Sequence, residues 1–362
     1  MPQDSDTIEH YSAIVVGAGP AGAMAAYHAA PRGRVLLIDC ARLPRDKSCG
    51  GMLNEHTQAF LGEYGRIPDD MISRPEWVNF RFHDWDRGIL KPTELRFSNV
   101  DRKRFDEWLL ALLPSEVTVW DSTTLESFAD EGDRVRVRVR HSGGNKDLSC
   151  DNLIGCDGPR SSVRRGLGSA SVATYVTLQD FCAIQGDIDP VFDCIYMRGI
   201  GDSFGYAYVV PKGDVAIVGS VFYPKTKRPY EKHDEILSRL TTRMPLGPSV
   251  KREAWVALCV RHRRDILEGR GRVLLAGEAG GFMSPTSGEG ISYALNSGRQ
   301  AGAAVAGSSA DEALGDYVKR IQPVTDNIRR KLKWLPFMES RAGKYVAGFV
   351  PDGIVSSITK GL

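Results

Sequence analysis

The sequence predicts an α/β fold: a mainly parallel sheet flanked by helices, interleaved with an antiparallel-sheet domain and followed by C-terminal helices. Three observations predict it. Residues 12–38 run as buried strand, tight turn, Ala-rich helix and second buried strand, a βαβ unit whose two strands must be parallel. Residues 175–222 break into short apolar runs divided by Gly, Pro and Asp, the punctuation of successive strands. From residue 311 onward the pattern is mostly helical.

Taken in order, residues 12–16 (SAIVV) form the first strand, 21–30 the helix, stopped by Pro31 and Gly33, and 35–38 the second strand. Residues 101–112 place Phe105, Trp108, Leu109 and Leu112 on one helical face, with Asp101 as the cap. Residues 134–140 (RVRVRVR) alternate strictly, so this is a half-buried strand with Val inward and Arg in water. A Ser-Gly-Gly turn at 142–144 leads to the next strand, and residues 234–243 and 289–306 read as helices.

Three glycine segments carry the chemistry. The first, Gly17-Ala18-Gly19-Pro20-Ala21-Gly22, follows a strand and opens a helix. Gly17 permits the tight turn, Gly19 lets backbone approach a pyrophosphate, and Gly22 lets the helix pack on the sheet. The phosphates of a dinucleotide then sit at a helix N-terminus. Asp39 ends the second strand twenty residues after Gly19, where an acid accepts hydrogen bonds from a ribose. The second segment is residues 155–164, in which an apolar strand end runs into Asp157-Gly158 and a helix start. The third is residues 273–291: a buried strand ends at Gly277-Glu278, and a glycine-rich turn with Gly288 and Gly290 opens a helix at Ile291.

The bulk numbers narrow the classes. With 47 basic and 45 acidic residues and a net charge of +2, nothing points to a nucleic-acid partner. The seven Cys are widely spaced, without CxxC pairs or Cys/His clusters, so no metal is expected and the thiols read as reduced. The opening residues MPQDSDTIEH lack a basic start and an apolar core, so a cytoplasmic location is expected.

The three segments in this order resemble the FAD-binding fold shared by para-hydroxybenzoate hydroxylase-type monooxygenases, flavin-dependent halogenases and geranylgeranyl reductases, over most of the chain to about residue 310. The resemblance implies a Rossmann-like FAD-binding domain held by Gly17, Gly19, Pro20, Ala21, Gly22 and Asp39. It implies that the segment of Asp157 and Gly158 touches FAD and the nicotinamide cofactor, and that Gly277 and Glu278 stand at the ribityl chain, Glu278 replacing the family's usual Asp. The helix opening at Gly288, Gly290 and Ile291 would face the flavin N1–C2=O edge, and Arg104 would match an arginine near the flavin.

Two segments resemble the geranylgeranyl reductase branch in particular. Lys47-Ser48-Cys49-Gly50-Gly51 is similar to its K-x-C-G-G. Tyr206-Ala207-Tyr208-Val209-Val210-Pro211-Lys212 with Gly219 is similar to YxWxFPK…G, with Tyr208 for Trp and Val210 for Phe. Gly50 and Gly51 would lie against the flavin ring, and Cys49, Tyr206 and Tyr208 are the candidate catalytic residues. Lys47 has a second reading as a halogenase-type lysine, although the tryptophan-x-tryptophan-x-isoleucine-proline motif is absent.

The implied division is an FAD domain of residues 1–75, 98–170 and 265–310, a substrate sheet of 76–97 and 171–264, and a helical region of 311–362. The implied activity is reduction of C=C bonds in a hydrophobic prenyl- or polyketide-like substrate. The alternatives are an aromatic or polyketide monooxygenase, a halogenase, or an electron-transfer flavoprotein. No second GxGxxG follows a later strand. NADPH would therefore dock transiently near Arg160 and Arg164, or a reductase or ferredoxin-like protein would bring the electrons. Arg329, Arg330, Lys331 and Lys333 beside Trp334, Leu335 and Phe337, followed by the apolar YVAGFVPDGIV, read as a cap on the substrate pocket or as a peripheral membrane contact.

Overall fold

The computed structural model describes residues 8–200, 204–340, 343 and 353. Among them the first sheet runs, in spatial order, through Gly269–Arg270, Val273–Leu275, Gly144–Gly155, Glu9–Val16, Val35–Ile38 and Val117–Trp120, with Val135–His141 and Thr124–Asp130 attached to Gly144–Gly155. The strands from Val273–Leu275 to Val117–Trp120 are mutually parallel. Both faces are buried, as parallel sheets require: Ala13 and Val15 pack toward the helices, Ile14 and Val16 toward the Val135, Val137 and Val139 hairpin. The register aligns the carboxyl ends. Val16 lies opposite both Ile38 and Gly155, and Gly155 lies opposite Leu275, so the three glycine segments leave the same edge.

The expected elements are present with shifted ends. The first helix is Pro20–Ala29 and the amphipathic one Arg102–Ala111, where the Asp101 carboxylate accepts from the Arg104 amide. The other expected helices run Pro229–Thr241, Ile291–Gly307 and Ala313–Glu339. Pro229 starts its helix earlier than expected because a first-turn proline gives up no hydrogen bond. Most of YVAGFVPDGIV lies outside the described residues. Among the described residues no helix is long and apolar enough to cross a membrane.

The second sheet runs Leu246–Leu258, Thr174–Ile184, Val215–Phe222, Phe204–Lys212, Val191–Tyr196, Ile72–Asp84, Ile89–Val100 and Met52–Leu53. It is antiparallel except where Val191–Tyr196 runs parallel to Ile72–Asp84. Its hairpin extends from residue 72 to 100, wider than the expected 76–97. Helix Pro229–Thr241 covers the far face with Ile236 and Leu240. It is fastened by His233, which bonds Ser220 Oγ and the Asp180 carboxylate, each at 2.6 Å. This Ser-His-Asp chain is completely enclosed and holds the helix to its sheet.

Helices Pro20–Ala29 and Ile291–Gly307 touch backbone to backbone. A Cβ on Gly298 would collide with the Ala21 carbonyl, and one on Gly302 with the Ala25 carbonyl. Gly298→Ala is therefore expected to destabilise the fold by about 1–3 kcal/mol, the range for overpacking a tight core. Gly315, in helix Ala313–Glu339, has nothing within 4 Å of its would-be Cβ, and Gly315→Ala should stabilise by about 0.5–1 kcal/mol. Urea unfolding of the two variants checks the contrast; equal midpoints would show that the helix crossing is slack.

Candidate active site

A cavity of about 1730 Å³ opens along the aligned strand ends. It exceeds the roughly 300–1,000 Å³ of an ordinary small-molecule site, so a dinucleotide and a second ligand fit together. One end is built by the first glycine turn. Gly17 has φ +102°, and a Cβ there would strike the Cys156 carbonyl, so the turn lies flat on the second glycine segment. Helix Pro20–Ala29 has no side-chain cap and no acid in its first turn, leaving its N-terminal amides for an anion. A Cβ on Gly19 would face only the Arg45 guanidinium. Asp39 accepts from the Ala18 amide at 2.8 Å and the Ala41 amide at 2.9 Å, with Arg45 Nε at 3.5 Å. The carboxylate thus orders the glycine turn from the next strand while facing the cavity.

The second segment is held by its own acid. Asp157 accepts from Ser161 Oγ, Ser162 N, Ser162 Oγ and Val163 N at 2.5–3.2 Å, so its carboxylate is engaged in shaping the loop, and Gly158 lies beside it on the cavity wall. Arg160 also lines the cavity. Arg164 turns inward to the Ala279 carbonyl at 3.1 Å and is buried, which removes it from any docking surface. In the third segment Glu278 reaches across to the second sheet, where Oε1 accepts from the Leu258 amide at 2.8 Å. Gly277, Gly288, Gly290 and Ile291 all line the cavity, and Gly290 is the N-cap of helix Ile291–Gly307.

The Cys49 loop crosses between the two sheets. Cys49 Sγ accepts from the Gly51 amide at 3.4 Å, and Cys49 and Arg102 both line the cavity. Lys212 Nζ donates to the Val100 carbonyl at 2.7 Å, and burial pulls its ammonium down to about 7. Arg102 replaces the expected Arg104 at the site. Arg104 is paired with Glu107 and its side chain is 58% exposed, whereas that of Arg102 is 9% exposed, ion-paired with Asp106 and part of the cavity wall. Two residues along a helix turn a side chain about 200°, so both arginines cannot face the cavity.

The second sheet forms the other wall. Along Phe204–Lys212, Tyr206, Tyr208 and Val210 face the cavity side, while Ala207 and Val209 pack under helix Pro229–Thr241. Tyr208 lies opposite Gly219, and a Cβ on Gly219 would occupy its ring position, which gives that glycine its place in the motif. The Tyr208 ring stacks on Phe192 at 5.1 Å, and its hydroxyl accepts from Gln179, whose carbonyl accepts from Ser48 Oγ at 2.5 Å. Tyr206 donates to the Ser287 carbonyl at 3.4 Å, next to Gly288. Burial raises both phenols, so both keep their protons at neutral pH.

Sequence reasoning missed Phe80, Phe97, Phe192 and Trp255, which make this lobe aromatic. They lie on strands whose pairing alone brings them together. Lys47 stands in the same lobe with Nζ 4.6 Å from the Trp255 ring centre, its ammonium lowered by burial. The end of helix Ala313–Glu339 adds Trp334, Leu335 and Phe337 to the cavity wall. The residues present fit FAD: an open glycine cradle on uncapped helix amides, an acid at the strand end, and a second glycine-rich helix start share one cavity.

Gly19→Val should abolish retention of FAD, since its side chain would fill the cradle; normal flavin absorbance after purification would refute this placement. Arg102→Met should lose flavin and cost about 3–5 kcal/mol by leaving Asp106 buried and unpaired. Arg104→Met should change stability by no more than about 0.5 kcal/mol and keep its colour.

Comparison with known proteins agrees with this geometry. The model of a family described as FAD binding domain matches residues 10–331. Protein CbrA of Escherichia coli O9:H4 (strain HS) is 29% identical over 297 residues, 80% of this chain and 80% of that protein. A geranylgeranyl bacteriochlorophyll reductase-like protein from Thermoplasma acidophilum superposes with a TM-score of 0.80 at 21% identity, covering 98% of this chain and 92% of that one. The flavin-dependent halogenase CmlS gives 0.72 at 18% identity, covering 98% and 70%. These structures speak for the fold, and the family match spans most of the sequence: the chain belongs to the FAD binding domain family and is a flavin-dependent oxidoreductase.

Proposed function

We propose that this oxidoreductase reduces a C=C bond of a hydrophobic, prenyl- or polyketide-like substrate. The observation that carries the reading is the junction of two lobes in one cavity: the glycine cradle on one side, the aromatic wall of Phe97, Phe192, Tyr206 and Tyr208 on the other, and Cys49-Gly50-Gly51 between them. FAD, when bound, supplies the hydride chemistry. The chain's residues hold the substrate, keep water away and supply a proton.

Tyr206 and Cys49 are the proton-donor candidates. The Tyr208 hydroxyl lies deeper, engaged with Gln179, so its ring serves as packing wall and its network fixes the Lys47–Gly51 loop. Arg102 and Lys47 add positive charge around the junction, and Lys212 stands behind the Gly51 turn, bonded to the Val100 carbonyl. Arg160 on the cavity wall supports transient docking of NADPH; delivery of electrons by a partner reductase or ferredoxin-like protein is the other route. Trp334 and Phe337, exposed at the cavity mouth, would let a lipid-borne substrate enter from a membrane surface.

The half-buried Lys47 in the aromatic lobe favours the second reading, oxygen chemistry of the monooxygenase or halogenase kind. Anaerobic mixing of dithionite-reduced protein with geranylgeranyl lipids and with phenols separates the two. Flavin reoxidation with saturation of the lipid supports the reductase. NADPH consumption in air with release of hydrogen peroxide, and no anaerobic turnover, would replace it by the oxygenase. Tyr206→Phe and Cys49→Ala should keep FAD, and loss of the true proton donor should slow anaerobic turnover by about 10²–10⁴-fold. Unchanged kinetics in both variants would remove the proposed donors.

A further inference from the structure

Beneath the start of helix Ile291–Gly307 lies a buried ionic group to which the chemistry above assigns no part. Lys331, on helix Ala313–Glu339, is 2% exposed. Its Nζ donates to the Tyr293 hydroxyl at 3.0 Å and to Ser284 Oγ at 3.4 Å, and the Tyr293 hydroxyl donates to Asn327 at 2.6 Å. Glu289 stands on the other side. Its carboxylate accepts from the Ser292 amide at 2.8 Å and Ser292 Oγ at 2.7 Å, while its backbone carbonyl accepts from the Ser284 amide at 2.8 Å. Ser284 links the two residues: its hydroxyl accepts from Lys331, and its amide donates to the Glu289 carbonyl.

The arrangement poses an electrostatic problem. A helix N-terminus carries about half a positive charge, confined to its first turn. Glu289 places a carboxyl group on that turn, at the wall of the cavity; burial raises it, while the Ser292 donors and the Lys331 ammonium favour its charged form. Alone, it would cancel the helix charge and repel any second anion. Burying an ammonium is costly unless partners compensate, and Lys331 is given a phenol and a serine hydroxyl. Burial brings Lys331 down to about 8, which still leaves it protonated at neutral pH.

We propose that Lys331 is a positioning residue for the redox step: its buried ammonium neutralises Glu289, so that the start of helix Ile291–Gly307 stays positive toward the negative charge a bound flavin gains on reduction. Lys331 touches neither substrate nor cofactor in this role and acts through Glu289 and the helix end. It is a tuning element in the C-terminal helix, supplied from outside the three glycine segments.

The test is the midpoint potential of FAD on the loaded protein at pH 7, measured by equilibrium reduction against an indicator dye. Lys331→Met should shift the equilibrium toward oxidised flavin by tenfold or more, about 30 mV for a two-electron couple. Glu289→Gln should shift it the other way, and the double variant should return close to the parent. Lys331→Arg should keep the parent potential. Potentials of Lys331→Met and Glu289→Gln that both match the parent overturn the proposal. Should Lys331→Met fail to fold, Glu289→Gln decides alone: a raised potential supports the charge pair, and an unchanged or lowered one overturns it.

Discussion

Close approach of backbone to backbone is the constraint on which this molecule depends. Gly17 lies on Cys156, Gly22 lies on Gly17, and Gly298 and Gly302 lie on the first helix. Each contact leaves no room for a side chain. Together they place two helix N-termini, from opposite ends of the sequence, at the edge where the parallel strands end. The positive poles of those helices meet in one cavity because the contacts permit no other spacing. Asp39 adds a side-chain tie from the neighbouring strand to the Ala18 amide, so the cradle is held in place by the protein itself.

The second sheet solves a different problem. Its cavity face is aromatic, its far face is covered by a helix, and the strand Phe204–Lys212 serves both through alternation. Gly219 gives up a side chain so that the Tyr208 ring can lie flat, and Gln179 links that ring to the Ser48 hydroxyl. The loop carrying Cys49 is therefore anchored by hydrogen bonds to the sheet that supplies the pocket, as well as by its own chain.

Much of this was legible because the signals were local. The βαβ unit, the capped helix after Asp101, the Val-Arg alternation and the three glycine turns each declare themselves within a few residues. The hairpin Ile72–Val100 was harder to bound. Pro75 interrupts its first strand, and the pairing register shifts between Ile72 and Trp77. Leu246–Leu258 has an exposed middle without alternation, and its extended form comes from pairing with Thr174–Ile184. Arg102 was displaced by Arg104 because charge alone does not reveal which helix face meets a cavity. Lys331 looked like one more charge in a basic run; only the packing of helix Ala313–Glu339 shows that it is enclosed.

The chain passes repeatedly between the two sheets, near Met52, Val100, Thr174 and Leu258. A body stitched in this way has no single hinge, and neither half can be excised or exchanged as a cassette. Entry and exit of reactants must then rely on the rim of the cavity, to whose lining the end of helix Ala313–Glu339 contributes Trp334 and Phe337. Diversification of such a scaffold is steered toward side-chain changes on the inward faces of fixed strands, with the cradle inherited intact.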